Sequence, residues 1–211
     1  RAEAAIDRHA LVTRHNPRLT QIDPWAPLSV GNGGFCFTAD VTGLQTFYDY
    51  YQKNGMPLET QARWSWHSAP NPNGYTLEQA NRPFTAYGRT VGYPTNASGA
   101  AGQWLRENPH TQPLPQIALE WSRDGRAPTP ADIAAIDQTL DLWTGRLVSR
   151  FTVEGTPVTV IVTCDPERDL LAVRIESALV ASRRLGVRLA FPRGYDPKTK
   201  NNPALDWTEP A

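Results

Sequence analysis

Hydrophobic and polar residues alternate along the second half of the chain, the pattern typical of β-strands with one buried face. The apolar positions recur two residues apart in four segments that short polar turns separate. They are Leu147, Phe151 and Val153; Val158, Val160 and Val162; Leu171, Val173 and Ile175; and Val187, Leu189 and Phe191. This repetition predicts an antiparallel meander with one face on the core and one face in water.

A further strand is predicted in the first half, over residues 30–40. It contains the glycine-rich turn that begins at Gly31, and the residues after this turn alternate. One face is apolar and the other carries smaller or polar groups: Phe35, Phe37 and Ala39 against Cys36, Thr38 and Asp40. The segment that follows, 44–51, is rich in aromatic residues but shows neither alternation nor helical spacing. We therefore expect it to be an ordered aromatic loop.

Many of the nineteen prolines lie between Ser68 and Pro130, so regular structure there is expected only in short pieces. We expect short strands over 84–93 and 116–122 and a helical turn over 102–107. Long loops in a compact protein usually serve a site or a contact with another domain.

Helix signals are weak elsewhere in the chain. Ala4, Ala5, Ile6 and Ala10 are compatible with a helical turn, after which Leu11 and Val12 favour a strand. The clearest signal is a short helix that begins at Pro130, because Thr129 can cap it and proline suits its first position. The tail 192–211 has no apolar period and is expected to be a loop.

Composition limits the function. The formal net charge is zero and 40% of residues are hydrophobic, so an ordinary core is possible but no basic surface exists for nucleic acid. No apolar run is long enough to predict a membrane helix. Cys36 and Cys164 are expected to be two free buried thiols, although one disulfide between them is possible by count.

Several chemistries lack their motifs. Cys36 occupies the position of the third glycine in the segment 31–36, which excludes the dinucleotide-binding pattern. The four histidines do not recur at metal-ligand spacing, so neither a metal nor another cofactor is expected. No nucleophile elbow is present, and neither cysteine has a histidine near it in sequence.

Trp64, Trp66 and His67 are the candidate site. If this segment is a strand, the two indoles share one face and His67 points the other way. Such an aromatic surface can hold a sugar ring, but the commoner role of paired aromatic residues is to fill a core or to close the end of a sandwich.

Other residues of the first half would suit a sugar site. The aromatic rings that could stack on a sugar belong to Tyr75, Trp104 and Trp121. The polar groups that could bind its hydroxyls belong to Gln45, Arg63 and Asn71. Glycoside hydrolysis needs two carboxylates on either side of the scissile bond. The available carboxylates are Asp40, Glu59, Glu78 and Glu120, and their spacing does not select a pair.

Three segments resemble one family of carbohydrate-active enzymes. They are SVGNGGFCFTADVTGLQT (29–46), LDLWTGRL (140–147) and TCDPERDLLAVRIES (163–177). They resemble the amino-terminal β-sandwich of glycoside hydrolases and phosphorylases that carry an (α/α)6 barrel, as in glycoside hydrolase families 65, 94 and 95. The similarity covers nearly the whole chain.

This resemblance implies a mainly β fold, a distorted antiparallel β-sandwich of the galactose mutarotase-like supersandwich type with long proline-rich loops and a few short helices. It implies a single domain over 1–211 that is incomplete at its C-terminus. In such enzymes the catalytic residues lie in the barrel, outside this chain. The sandwich loops can help form the sugar site, a role that would fall here to Trp64, Trp66 and His67.

We therefore expect the β-sandwich portion of a glycoside hydrolase or sugar phosphorylase. Its partners would be an oligosaccharide substrate and the C-terminal catalytic barrel of the same protein, with no nucleic acid and no membrane. The cellular location stays open, with the periplasm and secretion both compatible. Two alternatives remain: a free-standing carbohydrate-binding module without catalytic activity, and a purely structural or interaction domain.

Overall fold

The structure, a computed structural model, describes residues 6–68, 70–95, 98–121 and 126–191, without the side chains of His67 and His110. The described chain divides into two compact units, residues 6–62 with 113–191 and residues 63–112. The fold is mainly β, with antiparallel sheets and a few short helices, which confirms the predicted class. The predicted loop 192–211 and the alanines at 4 and 5 lie outside the described residues.

The strands are short in the first half and longer in the second. In chain order they are β1 (Arg18–Leu19), β2 (Leu28–Gly31), β3 (Phe35–Ala39), β4 (Thr60–Ala62), β5 (Trp66–His67), β6 (Arg82–Ala86), β7 (Arg89–Tyr93), β8 (His110–Thr111), β9 (Gln116–Glu120), β10 (Ile133–Asp141), β11 (Arg146–Val153), β12 (Thr156–Cys164), β13 (Leu171–Glu176) and β14 (Gly186–Ala190). The α-helices are α1 (Arg8–Thr13), α2 (Tyr48–Asn54), α3 (Leu77–Ala80), α4 (Ala100–Glu107) and α5 (Ala178–Ala181). One-turn 3-10 helices span Arg63–Ser65 and Pro130–Asp132.

The predicted meander forms a five-stranded antiparallel sheet in the order β1-β10-β11-β12-β13. Its fourth predicted segment, β14, does not join it but pairs antiparallel with β9. The redirection follows from α5, which Ser177 caps: the serine side chain accepts a hydrogen bond from Leu179 N–H. Leu179 and Leu185 are buried on either side of this turn and fix it in place. Alternation shows that a segment is a strand, but it does not show which strand is its neighbour.

The segment predicted as one strand from Val30 is a hairpin of β2 and β3, which β4 extends to a three-stranded sheet. Asn32 shapes the turn, because its side-chain oxygen accepts hydrogen bonds from Gly34 N–H (2.9 Å) and Phe35 N–H (2.8 Å). Its amide nitrogen donates to the carbonyl of Arg168 (3.0 Å) in the turn before β13. The predicted apolar face of β3 is confirmed, since its three residues are buried.

Asp40 was expected on the outward face of β3, but it lies just beyond the strand and is fully buried. There it begins loop 40–47, in which every residue except Thr46 is buried. The Asp40 carboxylate accepts hydrogen bonds from Thr42 N–H (2.8 Å), the Thr42 hydroxyl (2.6 Å) and Phe47 N–H (2.7 Å). A buried loop must satisfy its polar groups without water, and here its own side chains do so.

Loop 40–47 is also bonded to three sheets. The Gln45 amide donates to the Thr38 carbonyl (3.1 Å), and its oxygen accepts from Ile117 N–H of β9 (3.2 Å). The Gln138 amide of β10 donates to the Asp40 carbonyl (2.7 Å) and to the Ser149 hydroxyl of β11. The loop therefore fixes the positions of the β3, β9 and β10 sheets in the first unit.

Gly43 cannot be replaced at the centre of this loop. Its φ of 85° lies in the left-handed region, and a Cβ there would come within 2.9 Å of Ser149 Oγ and 3.0 Å of a Val160 methyl group. The surrounding core consists of large apolar side chains that are almost fully buried. They include Phe37, Leu44, Tyr51, Leu58, Leu147, Phe151, Val158, Val160 and Val162.

Three local predictions are wrong. Leu11 and Val12 lie in α1, which Asp7 caps through a hydrogen bond from Ala10 N–H, and not in a strand. The aromatic segment expected to be a loop contains α2, whose buried Tyr48 and Tyr51 are three residues apart and so share a helix face.

The third concerns Pro130, where the predicted helix is a single 3-10 turn. Its capping is as expected, because Asp132 accepts hydrogen bonds from Thr129 N–H and from the Thr129 hydroxyl. The chain then enters the nine-residue strand β10 at Ile133, because most of its residues find a partner in β11. Strand pairing thus overrides a local helix signal.

The second unit contains the pairs β5-β8 and β6-β7 together with α3 and α4. The helical turn predicted over 102–107 is confirmed by α4, and the strand predicted over 84–93 is the hairpin β6-β7. Every residue of β6 is exposed. An isolated two-stranded hairpin gains little stability from burial.

Both cysteines are free, as predicted, but they are not buried. Cys36 is exposed and Cys164 is partly exposed. Cys36 faces water because its strand neighbours Phe35 and Phe37 take the buried face of β3. The alternative disulfide is absent from this structure.

Replacement of Gln45 by leucine is expected to lower the free energy of unfolding by at least about 3 kcal/mol, because several buried polar groups lose their partner together. Chemical denaturation measures the change. Gln61→Leu is the control: Gln61 is half-buried and its side chain bonds to Glu59, so the expected loss is below about 1 kcal/mol. Equal losses would contradict the role assigned to Gln45.

Burial raises the pKa of Asp40 to about 6 from its usual value near 4, although three hydrogen bonds to the carboxylate oppose the change. Between these values the folded chain holds more protons than the unfolded chain, so stability falls as pH rises. Relative to Asp40→Asn, the free energy of unfolding of the wild type should fall by about 2 kcal/mol between pH 4 and pH 7. Unfolding measured across this range tests the expectation, and a pH-independent difference would refute it.

Candidate functional site

The predicted site residues Trp64 and Trp66 are exposed, not buried as paired aromatic residues commonly are. Their exposed fractions are 68% and 54%. We refer to them as the exposed tryptophan pair. Trp64 lies in the 3-10 turn and Trp66 begins β5, so the strand rule that would place both indoles on one flat face does not apply.

His67, the third predicted site residue, pairs with His110 in the backbone ladder of β5 and β8. Its side chain lies outside the described part of the structure, so its role in a site stays a prediction. Arg63, another residue expected to bind hydroxyl groups, stands beside Trp64 in the 3-10 turn and is exposed.

The second unit exposes large apolar side chains and buries small residues. Its buried residues, within the described part of the chain, are Ser65, Ala80, Ala101, Gly102 and Asn108. Its exposed apolar side chains include Trp64, Trp66, Leu77, Phe84, Tyr87 and Tyr93. The unit therefore presents its aromatic residues as a surface and does not use them to build a core.

Other residues expected to bind sugar have structural roles. The Gln45 side chain, in loop 40–47, bonds to the Thr38 carbonyl and to Ile117 N–H, and Trp121 is only 6% exposed. Asn71 closes a turn, because its side chain bonds both to the N–H and to the carbonyl of Tyr75. Trp104 donates its indole N–H to the Pro70 carbonyl (3.3 Å).

The four candidate carboxylates do not form one group. Asp40 is buried in loop 40–47, and Glu78 stands exposed in the first turn of α3 in the second unit. Glu59 lies close enough to Tyr48 to contribute, after burial, to raising the pKa of that phenol to about 12. Only Glu120 lines a cavity described below.

A cleft of about 810 Å³ opens in the first unit, and we call it the aromatic cleft. Four aromatic side chains and four charged side chains belong to its lining: Phe47, Tyr48, Tyr50, Trp121, Asp49, Glu120, Arg126 and Arg188. Phe47 and Trp121 pack edge to face with their ring centroids 6.3 Å apart.

The strand pair β9-β14 places polar groups on one face of this cleft. Ala118 is opposite Arg188 in the register, and residues two apart on β9 share its face. Gln116, Glu120 and Arg188 thus lie on the same side, and the Arg188 guanidinium donates to Gln116 Oε1 (3.4 Å). Ala118 between them is buried.

Arg126 and Pro130 belong to another wall, which an ion pair stabilises. The Arg126 guanidinium donates to Asp132 (2.9 Å) and holds the pKa of that carboxyl well below its usual range. The same carboxylate caps the 3-10 turn at Thr129. This wall is therefore ordered by contacts of its own.

The sequence did not reveal the aromatic cleft. Its residues come from α2, β9, the turn at Pro130 and β14, which are far apart along the chain. The i, i+3 spacing of Tyr48 and Tyr51 could have shown the helix. The pairing of β14 with β9, which brings Arg188 to the same face as Glu120, leaves no signal in a single sequence.

Among the described residues, no group of three or more histidine, cysteine or acidic side chains is arranged to hold a metal ion. No helix in the same residues combines the length and the apolar character needed to cross a bilayer. Comparison with family models, with curated proteins and with solved structures gives no match. The class that can be stated is therefore a mainly β protein with antiparallel sheets.

Alanine at Trp64 or at Trp66 is expected to lower the unfolding free energy by less than about 1 kcal/mol, because both indoles are largely in water. Trp121→Ala is the internal comparison and should cost about 3–5 kcal/mol, since this indole is buried against Phe47. Urea denaturation of the three variants provides the measurement. Similar losses in all three would mean that the exposed pair is structural.

Proposed function

We propose that this chain is the amino-terminal β-sandwich portion of a carbohydrate-active enzyme, a glycoside hydrolase acting on oligosaccharides. In this proposal it supports a catalytic (α/α)6 barrel outside the chain, and the exposed tryptophan pair contributes to the rim of the sugar site. The finer fold assignment, a galactose mutarotase-like supersandwich, belongs to the same proposal.

The positions of the three segments that carry the family resemblance support this assignment. Segment 29–46 forms the β2-β3 hairpin and most of loop 40–47, segment 140–147 forms the turn between β10 and β11, and segment 163–177 joins β12 to β13. Asn32 of the first segment bonds to the Arg168 carbonyl of the third. The first and third segments are thus bonded to each other within the first unit.

The observation that carries the carbohydrate assignment is the exposure of Trp64 and Trp66. Indole rings in water are costly unless something covers them, and an indole presents the flat apolar surface that the C–H face of a sugar ring contacts. Arg63 beside them offers guanidinium donors for hydroxyl groups. No acid and base pair is assigned in this chain, because the proposal places the chemistry on the barrel.

Titration of the chain with neutral mono- and oligosaccharides, followed by tryptophan fluorescence, tests the proposal. Alanine at Trp64 or Trp66 should weaken binding by about tenfold, because stacking on the indole is lost. The matched controls are Trp25→Ala and Trp143→Ala, which remove indoles that are 70% and 51% exposed in the first unit. Unchanged affinity in the Trp64 and Trp66 variants would refute the role of the pair.

A further inference from the structure

The proposed function leaves the aromatic cleft of the first unit unused. We propose that it is a binding site for a neutral saccharide of one or two rings. This goes beyond the proposed function, which places sugar at the exposed tryptophan pair of the other unit. The size is suitable, because about 810 Å³ lies within the range of small-molecule sites.

The cleft is preorganised by contacts that do not depend on a ligand. Phe47, at the beginning of α2, donates its N–H to the buried Asp40 carboxylate and packs its ring on Trp121. Arg126 is held by Asp132 in the turn that forms another wall. Binding to such a site loses little free energy to ordering of the protein.

The charges favour a neutral ligand. Arg126 is compensated by Asp132, which leaves Asp49, Glu120 and Arg188 as the charged groups that line the cleft. Arg188 offsets one of the two carboxylates, so the charge that remains opposes a phosphate or a sugar acid and attracts a cation only weakly. Carboxylates that accept hydrogen bonds and a guanidinium that donates them both suit neighbouring hydroxyl groups.

The aromatic residues favour a ring-shaped ligand over a small linear polyol. Tyr50 is 38% exposed at the cleft, whereas Tyr48 and Trp121 are largely buried in its lining. Apolar ring surface combined with a few placed polar groups is the usual composition of a small-molecule site. A pyranose presents both kinds of surface, C–H groups on its faces and hydroxyl groups at its edge.

Calorimetric titration of the full chain tests the ligand class. The probes are maltose, cellobiose and trehalose, with glucose 6-phosphate and tetramethylammonium as charged comparisons. We expect at least one disaccharide to bind and both charged probes to bind at least about tenfold more weakly. Tighter binding of a charged probe, or no binding of any disaccharide, would overturn the inference.

Single substitutions test whether the disaccharide binds in the aromatic cleft. Glu120→Gln and Arg188→Met should each weaken the disaccharide at least about tenfold, because each removes a charged hydrogen-bond partner. Both side chains are exposed, and circular dichroism verifies that the variants fold. Glu176→Gln and Arg174→Met, exposed positions on β13, are the matched controls and should leave affinity unchanged. Wild-type affinity in both cleft variants would overturn the site.

A chemical readout separates this site from the exposed tryptophan pair. Phenylglyoxal modifies accessible arginines, and peptide mass spectrometry follows Arg188 in the Trp64→Ala/Trp66→Ala double variant. If the disaccharide protects Arg188 but not Arg174 from modification, the result supports binding in the aromatic cleft, whether or not the exposed tryptophan pair also binds sugar. Binding that requires the two tryptophans and leaves Arg188 unprotected overturns the cleft and leaves the proposed function intact.

Discussion

The first unit depends on one constraint, the need to satisfy the polar groups of a loop that is buried. Loop 40–47 lies among three sheets, where water cannot bond to its backbone. Asp40 bonds within the loop, Gln45 bonds outward to β3 and β9, and Gln138 reaches the loop from β10. Because an unsatisfied buried polar group destabilises a fold by more than a typical hydrogen bond stabilises it, these side chains fix both the loop and the sheets around it.

The aromatic cleft follows from the same loop. Its last residues lead directly into α2, so the bond from Phe47 N–H to Asp40 also determines where Tyr48 and Tyr50 stand. Gln45 fixes β9 from one side, and β14 pairs with its other edge and carries Arg188. A structural network and a cavity with binding chemistry are thus adjacent. The second unit is organised differently, because it buries small residues and leaves its aromatic side chains in water.

The sequence predicted which segments are strands better than it predicted which strands pair with each other. The alternation of β11 and β12 and the buried face of β3 were predicted correctly, because period-two patterning reports directly on burial. In β13 the predicted inward face is wrong, since no residue of that strand is buried and Val173 is 37% exposed. The place of β14 was predicted wrongly, since pairing depends on the chain reversal at α5. Trp64, Trp66 and His67 were singled out from residue type, from the two-residue spacing of the tryptophans and from the family resemblance. The exposure of the two indoles came only with the structure, and so did the placement of Glu120 and Arg188 on the same face of β9 and β14.

The sequence by itself determined the mainly antiparallel β character, the glycine-rich turn and the cap at Pro130, because each is decided by residues within a few positions of one another. The tertiary structure decided that Asp40 is buried and that β9 pairs with β14. These outcomes rest on contacts between residues about 70 to 100 positions apart, such as Gln45 with Ile117 and Gln138 with Asp40. Local sequence patterns do not predict such contacts, because the free energy that favours them is gained only when the whole unit packs.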